Sequence, residues 1–222
     1  MATASAILFV TGLLTVLPVS AGYPIRGQGG QQTVPDILVY VEDDHRVPTM
    51  VLLKAEATAT WMFAQIGLQV QWAHLRPGAA AEVAGTGCAP KRPEQIEVLM
   101  VSRKTGSAGR EAFASALPYA RTGVRITVFY DELHEAISPR PGLETVVLAH
   151  VLVHEITHVL QGVVQHSGKG VLQAYWNARD YADMERRPLA FASVDVERIH
   201  DGLARTRSPV CMETASEVGA RR

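Results

Sequence analysis

The chain has 222 residues, 47% of them hydrophobic and 19% charged, with a formal net charge of −1. That length holds one substantial hydrophobic core and is too short for two large ones. The near-neutral balance gives no electrostatic footprint for nucleic acid or an anionic membrane surface, so neither is expected as a partner.

Met1 to Ala21 carries no charged side chain and holds the apolar runs Ala6-Ile7-Leu8-Phe9-Val10 and Leu13-Leu14-Thr15-Val16-Leu17. Pro18 ends the second run, and Val19-Ser20-Ala21 supplies the small residues that a signal peptidase reads. The segment reads as a secretory signal cleaved after Ala21, placing the mature chain outside the cytoplasm, secreted or periplasmic. A buried N-terminal helix or an uncleaved anchor is the competing reading. The run, however, is shorter than the ~20 residues a span needs. No later segment reads as long and apolar enough to cross a bilayer.

Residues 22–35, rich in Gly and Gln, read as a flexible lead-in, and 36–222 as the folded domain. Asp36 to Val41 reads as a buried strand. A helix follows from Pro48 to about Gln65, closed by Gly67. Leu68-Gln69-Val70-Gln71-Trp72 alternates as a half-buried strand should. After a loop over 76–93, Ile96 to Val101 and Val124 to Tyr130 read as further strands. Between them, Lys104-Thr105-Gly106-Ser107-Ala108-Gly109 lacks the full phosphate-loop pattern, which argues against a nucleotide site. Past Pro139 and Pro141, Leu143 to Leu160 is apolar around much of its circumference, the mark of a core helix. Residues 163–192 are mixed, and an amphipathic helix begins near Ser193 with Val196, Ile199 and Leu203 on one face. The order implies a single α+β domain with a small mixed sheet and a helical C-terminal tail. Cys88 and Cys211 could pair in an oxidising compartment, closing a loop worth ~4–5 kcal/mol. Two free thiols are an equal reading, and neither Cys has a second at metal-ligand spacing.

The chemistry concentrates in His154-Glu155-Ile156-Thr157-His158. Two histidines four residues apart project from one helix face, where both imidazoles can ligate one Zn²⁺ at ~2.0–2.1 Å. Glu155 is offset by about 100°, which places its carboxylate beside a metal-held water rather than on the metal. Zinc lowers that water's pKa toward ~7 and polarises a carbonyl, while the Glu acts as general base. A helix in which these residues fall together by chance is the competing reading. Against it, they are embedded among Val151, Leu152, Val153, Ile156, Val159 and Leu160, where unpaired polar groups are costly.

A zinc hydrolase needs a third protein ligand. Gly162 can turn the chain back after the helix, bringing His166 toward the metal. Its rivals are His150 and the carboxylates of Asp180, Asp183 and Glu185. His150 lies about 12 Å along the helix axis from His158, too far to share an ion. His45, His74, His134 and His200 are isolated and read as surface or structural.

The run Val153 to Gly162, with His166-Ser167 and Gly170-Val171-Leu172-Gln173-Ala174-Tyr175-Trp176, resembles a group of exported bacterial proteins. Their pattern is H-E-x-x-H-x-x-x-G-x-x-x-H-S followed by G-I-M-x-A-x-W. The group is similar to the metzincin metallopeptidases, whose motif is H-E-x-x-H-x-x-G-x-x-H above a methionine turn. In this chain the spacings to Gly162 and His166 are longer by one and two residues, and Leu172 stands at the Met position. The resemblance implies a metzincin-like domain and a zinc metallopeptidase acting on peptide or protein substrates. It also implies His154, His158 and His166 as metal ligands and Glu155 as catalytic base. An exported zinc protein that binds or stabilises without turnover is the alternative. Tyr175, Trp176 and Tyr181 read either as core or as the wall of a substrate groove.

Overall fold

Ile37, Val39 and Val41 are buried while the residues between them are half-exposed, and this alternation makes Ile37–Asp43 a strand, β1. The structure, a computed structural model, describes residues 34–43, 47–76, 94–101, 113–116, 124–140 and 142–206. The expected signal segment, nearly all of the lead-in, His45, Cys88, Cys211 and the loop at 104–109 lie outside these residues.

Around β1 the sheet runs in the order β2-β1-β3-β5-β4, with β2 at Val70–Leu75, β3 at Glu94–Val101, β4 at Ala114–Ala116 and β5 at Val124–Phe129. All pairings are parallel except β4 with β5. Parallel neighbours need a crossover. Between β1 and β2 it is α1, Thr49–Ala64, which buries Ala55, Ala59 and Phe63 and packs against the long helix α3, Leu143–Gln161.

α3, Leu143–Gln161, lies between left-handed glycines, Gly142 (φ 98°) and Gly162 (φ 67°). Nearly every residue from Val147 to Gln161 is buried. The expectation that no late segment could cross a bilayer needs correcting: α3 is long and apolar enough, with mean hydropathy 1.4. In this fold 78% of that stretch is buried as core.

Three further boundaries differ from the sequence expectation. The strand expected to reach Tyr130 stops at Phe129, and Tyr130–Ile137 forms α2 because Tyr130, Leu133 and Ile137 bury one helical face. The strand expected from Leu68 starts at Val70. Gln69 is spent on Asp36: its N–H bonds the Asp36 carboxylate, and its carbonyl accepts from the Asp36 and Ile37 amides. Within 163–192, Asn177 and Asp180 form a reciprocal capping box that starts α4, Ala178–Arg186. The expected last helix is present as α5, Ser193–Thr206, with Ile199 and Leu203 buried.

Candidate metal centre

His154 and His158 leave α3 one turn apart, and each ring is oriented through Nδ1 by a backbone carbonyl. His154 Nδ1 bonds Val171 O at 2.9 Å, and His158 Nδ1 bonds Val163 O at 3.0 Å. A carbonyl only accepts, so both Nδ1 atoms carry hydrogen and both Nε2 atoms keep a lone pair. Those Nε2 atoms are 3.0 Å apart. Burial is the main force lowering the His154 pKa to about 4, and it lowers that of His158 too. Near neutral pH neither ring therefore gains the second proton that would join them. Two lone pairs held so close repel unless a cation lies between them, and a set of imidazole nitrogens suits zinc.

The chain after α3 brings in the third histidine. Gly162 turns left-handed, its N–H bonding the carbonyls of His158 and Val159. The following loop supplies Val163 O to His158 and then presents His166, whose ring centre is 5.2 Å from that of His154 and 4.9 Å from that of His158. One nitrogen from each of the three lies within 4.8 Å of the others. The loop is closed by Ser167 N–H on Leu172 O at 2.9 Å, so the residue next to Val171, whose carbonyl orients His154, also anchors the loop that carries His166.

Other candidates fall elsewhere. His150 is a satisfied core group: Nδ1 donates to Val146 O at 2.6 Å, and Nε2 accepts the Leu189 N–H at 2.9 Å. Asp180 caps α4, Asp183 pairs with Arg186, and Glu185 is exposed. His74 faces Glu56, His134 faces Glu144, and His200 meets Ile66 O. Among the described residues, His154, His158 and His166 form the one such cluster.

Glu155 sits beside the trio. Burial raises its pKa to about 7, and a bond from the backbone N–H of Ala116 opposes that rise. The carboxylate opens onto a cleft of about 750 Å³. Ala114–Ala116 of β4, Trp176 and Tyr181 all line the cleft. Both aromatics also pack on the core, as one of the two sequence readings had it. Tyr175 also lines the cleft and is 78% exposed. Leu172, at the expected Met position, is fully buried as a packing residue.

Some of this lay beyond the side-chain pattern. The orienting groups Val163 O and Val171 O are backbone atoms, and β4 was not anticipated. Gly170 gave a partial signal. Its φ is +79°, and a Cβ there would lie 2.3 Å from Ala190 O, so the 170–172 segment can press against that carbonyl only with glycine.

The solved structure of archaemetzincin from Methanopyrus kandleri is similar, with a TM-score of 0.50 at 16% identity, over 79% of this chain and 99% of that one. No protein-family profile matches the chain, and no curated protein matches it. The fold is α+β and similar to that of archaemetzincin: a five-stranded mixed sheet, a core helix bearing paired histidines and a helical C-terminal tail.

Proposed function

We propose that this chain is an exported zinc metallopeptidase, with His154, His158 and His166 holding the ion and Glu155 acting as general base. The observation that carries the reading is the 3.0 Å approach of two buried imidazole lone pairs, with a third imidazole beside them and a carboxylate facing the same cleft. The similarity to archaemetzincin and the resemblance of the histidine segment to exported bacterial proteins support it.

Zinc, when bound, would polarise a scissile carbonyl and make water a nucleophile near neutral pH. The chain's own groups supply the rest. Glu155 takes a proton from the attacking water as its oxygen bonds the carbonyl carbon. It then delivers that proton to the departing amine nitrogen as the C–N bond breaks. Burial in the cleft makes the Glu155 carboxylate a stronger base than an exposed one, which suits a group that must take up a proton.

β4 gives a reason to favour an extended peptide as substrate. Phe129 N–H bonds Phe113 O, so by antiparallel alternation Phe113 and Ser115 face β5. Ala114 and Ala116 then turn their backbone groups away from β5, on the side where the Ala116 N–H meets Glu155, and among the described residues β4 is an edge strand. An added strand is a recurrent mode of peptide capture.

The deciding experiment compares wild type with Glu155→Gln on a denatured protein substrate, with zinc content measured in both. Loss of about 10²–10⁴-fold in turnover at unchanged zinc content is expected. Equal cleavage by the two proteins would remove Glu155 as base, and zinc without any cleavage would leave the binding-protein reading. Sequencing the N-terminus of exported material tests cleavage after Ala21.

A further inference from the structure

Of the three histidines, His166 alone is exposed, and among the described residues no hydrogen bond holds its ring. Its place is set by the residue after it. The Ser167 hydroxyl lies 2.6 Å from both carboxylate oxygens of Asp195, 28 residues later. It donates its single hydrogen to that carboxylate while the Ser167 N–H is held on Leu172 O. Asp195 is fully buried in the first turn of α5, and the chemistry proposed above makes no use of it.

Asp195 is itself firmly placed. Its backbone carbonyl accepts from Gln161 Nε2 at 3.3 Å, and Arg198 Nη1 is 3.9 Å from its carboxylate. Arg205 donates to the Gln161 carbonyl at 3.0 Å, so α5 clasps the C-terminal end of α3 just beyond His158. A buried carboxylate is costly to desolvate, and one bonded to a serine hydroxyl directly after an exposed histidine acts as an anchor for that loop.

We propose that Asp195 is a positioning residue of the metal centre: by gripping Ser167 it fixes the backbone of His166 and makes α5 part of the site. The proposal rests on the metal reading above. Groups that orient metal ligands from outside the coordination sphere commonly change affinity by about 10–100-fold.

The test is zinc affinity, measured by competition with a chromogenic chelator, together with the visible spectrum of the cobalt-loaded protein and the thermal unfolding of the metal-free form. Ser167→Ala and Asp195→Asn should each weaken zinc about 10–100-fold and alter the cobalt spectrum. Ser167→Thr, which keeps the hydroxyl, should stay within a few-fold of wild type. Metal-free Ser167→Ala should unfold close to wild type. In a His166→Ala background the same two substitutions should leave the remaining affinity unchanged, because the residue they act through is gone.

Unchanged zinc affinity in Ser167→Ala, or an equal loss with and without His166, would overturn the proposal. The half-buried serine decides the matter even where Asp195→Asn fails to fold. Wild type that binds no zinc would overturn the metal reading itself, and with it this proposal, a result distinct from wild type that binds zinc indifferently to Ser167.

Discussion

Gly202 of α5 lies so close to Leu160 of α3 that a Cβ built on it would meet the Leu160 carbonyl oxygen at 1.8 Å. The two helices therefore cross backbone to backbone, two residues past His158. Gly202→Ala must force them apart. Overpacking of this kind costs roughly 1–3 kcal/mol, of which alanine's better helix propensity recovers about 1. Urea unfolding should show a lower midpoint, and zinc affinity should fall alongside it. A midpoint equal to wild type would mean that the crossing is loose.

Two nearby glycines make a controlled comparison. A Cβ on Gly168 meets nothing within 4 Å, whereas one on Gly170 would sit 2.3 Å from Ala190 O with φ at +79°. Gly168→Ala should be neutral, or stabilising by up to about 1 kcal/mol through the unfolded chain. Gly170→Ala should lose roughly 2 kcal/mol or more, and should weaken zinc by displacing Val171, whose carbonyl orients His154. Equal melting temperatures for the two variants would refute this.

His150 makes stability depend on pH. Burial lowers its pKa from 6.5 to about 4, against the partial opposition of the Val146 carbonyl. As pH falls below 6.5 the unfolded chain takes up a proton that the folded chain does not, so folding stability declines down to about pH 4. The contribution is at most roughly 3 kcal/mol. Metal-free wild type and His150→Gln should be unfolded in urea across that range, and the variant should decline less steeply. Parallel declines would assign the effect to other groups.

Removing the proposed zinc should destabilise the fold, because an ion bound only by the native state adds about 2.7 kcal/mol at a hundredfold excess over Kd. A chelator should lower the melting temperature of wild type and leave that of His158→Ala unchanged. His134→Ala, which alters a pair with Glu144 on α2 and α3, should respond to chelator as wild type does. If His158→Ala keeps the full response, the ion sits elsewhere.

α3 was legible because glycines and prolines punctuate it and apolar residues run around much of its circumference, so both ends and its burial follow from composition. His154, Glu155 and His158 were legible because helical periodicity converts sequence spacing into a shared face. β4 was not: Ala-Ser-Ala has neither alternation nor β-branched residues, and only pairing with β5 makes it a strand. Tyr130 was misassigned because an aromatic following Val128 and Phe129 favours a strand, while burial at Leu133 and Ile137 decides for helix. The groups that orient His154 and His158 are carbonyl oxygens, which every residue type carries. Asp195 meets Ser167 only through the path of the folded chain, and one aspartate in an amphipathic helix looks like any solvated charge.

On the proposal made for Asp195, the clasp of α5 on α3 separates possessing the histidine signature from holding all three histidines together. A chain ending at Ala192 would retain every residue from His154 to Trp176. It would nonetheless lack Asp195, Gly202 and Arg205, leaving the Ser167 hydroxyl without its acceptor and the Gln161 carbonyl without its donor. In such a shortened protein two imidazoles would still meet on one helical turn while the third swung loose.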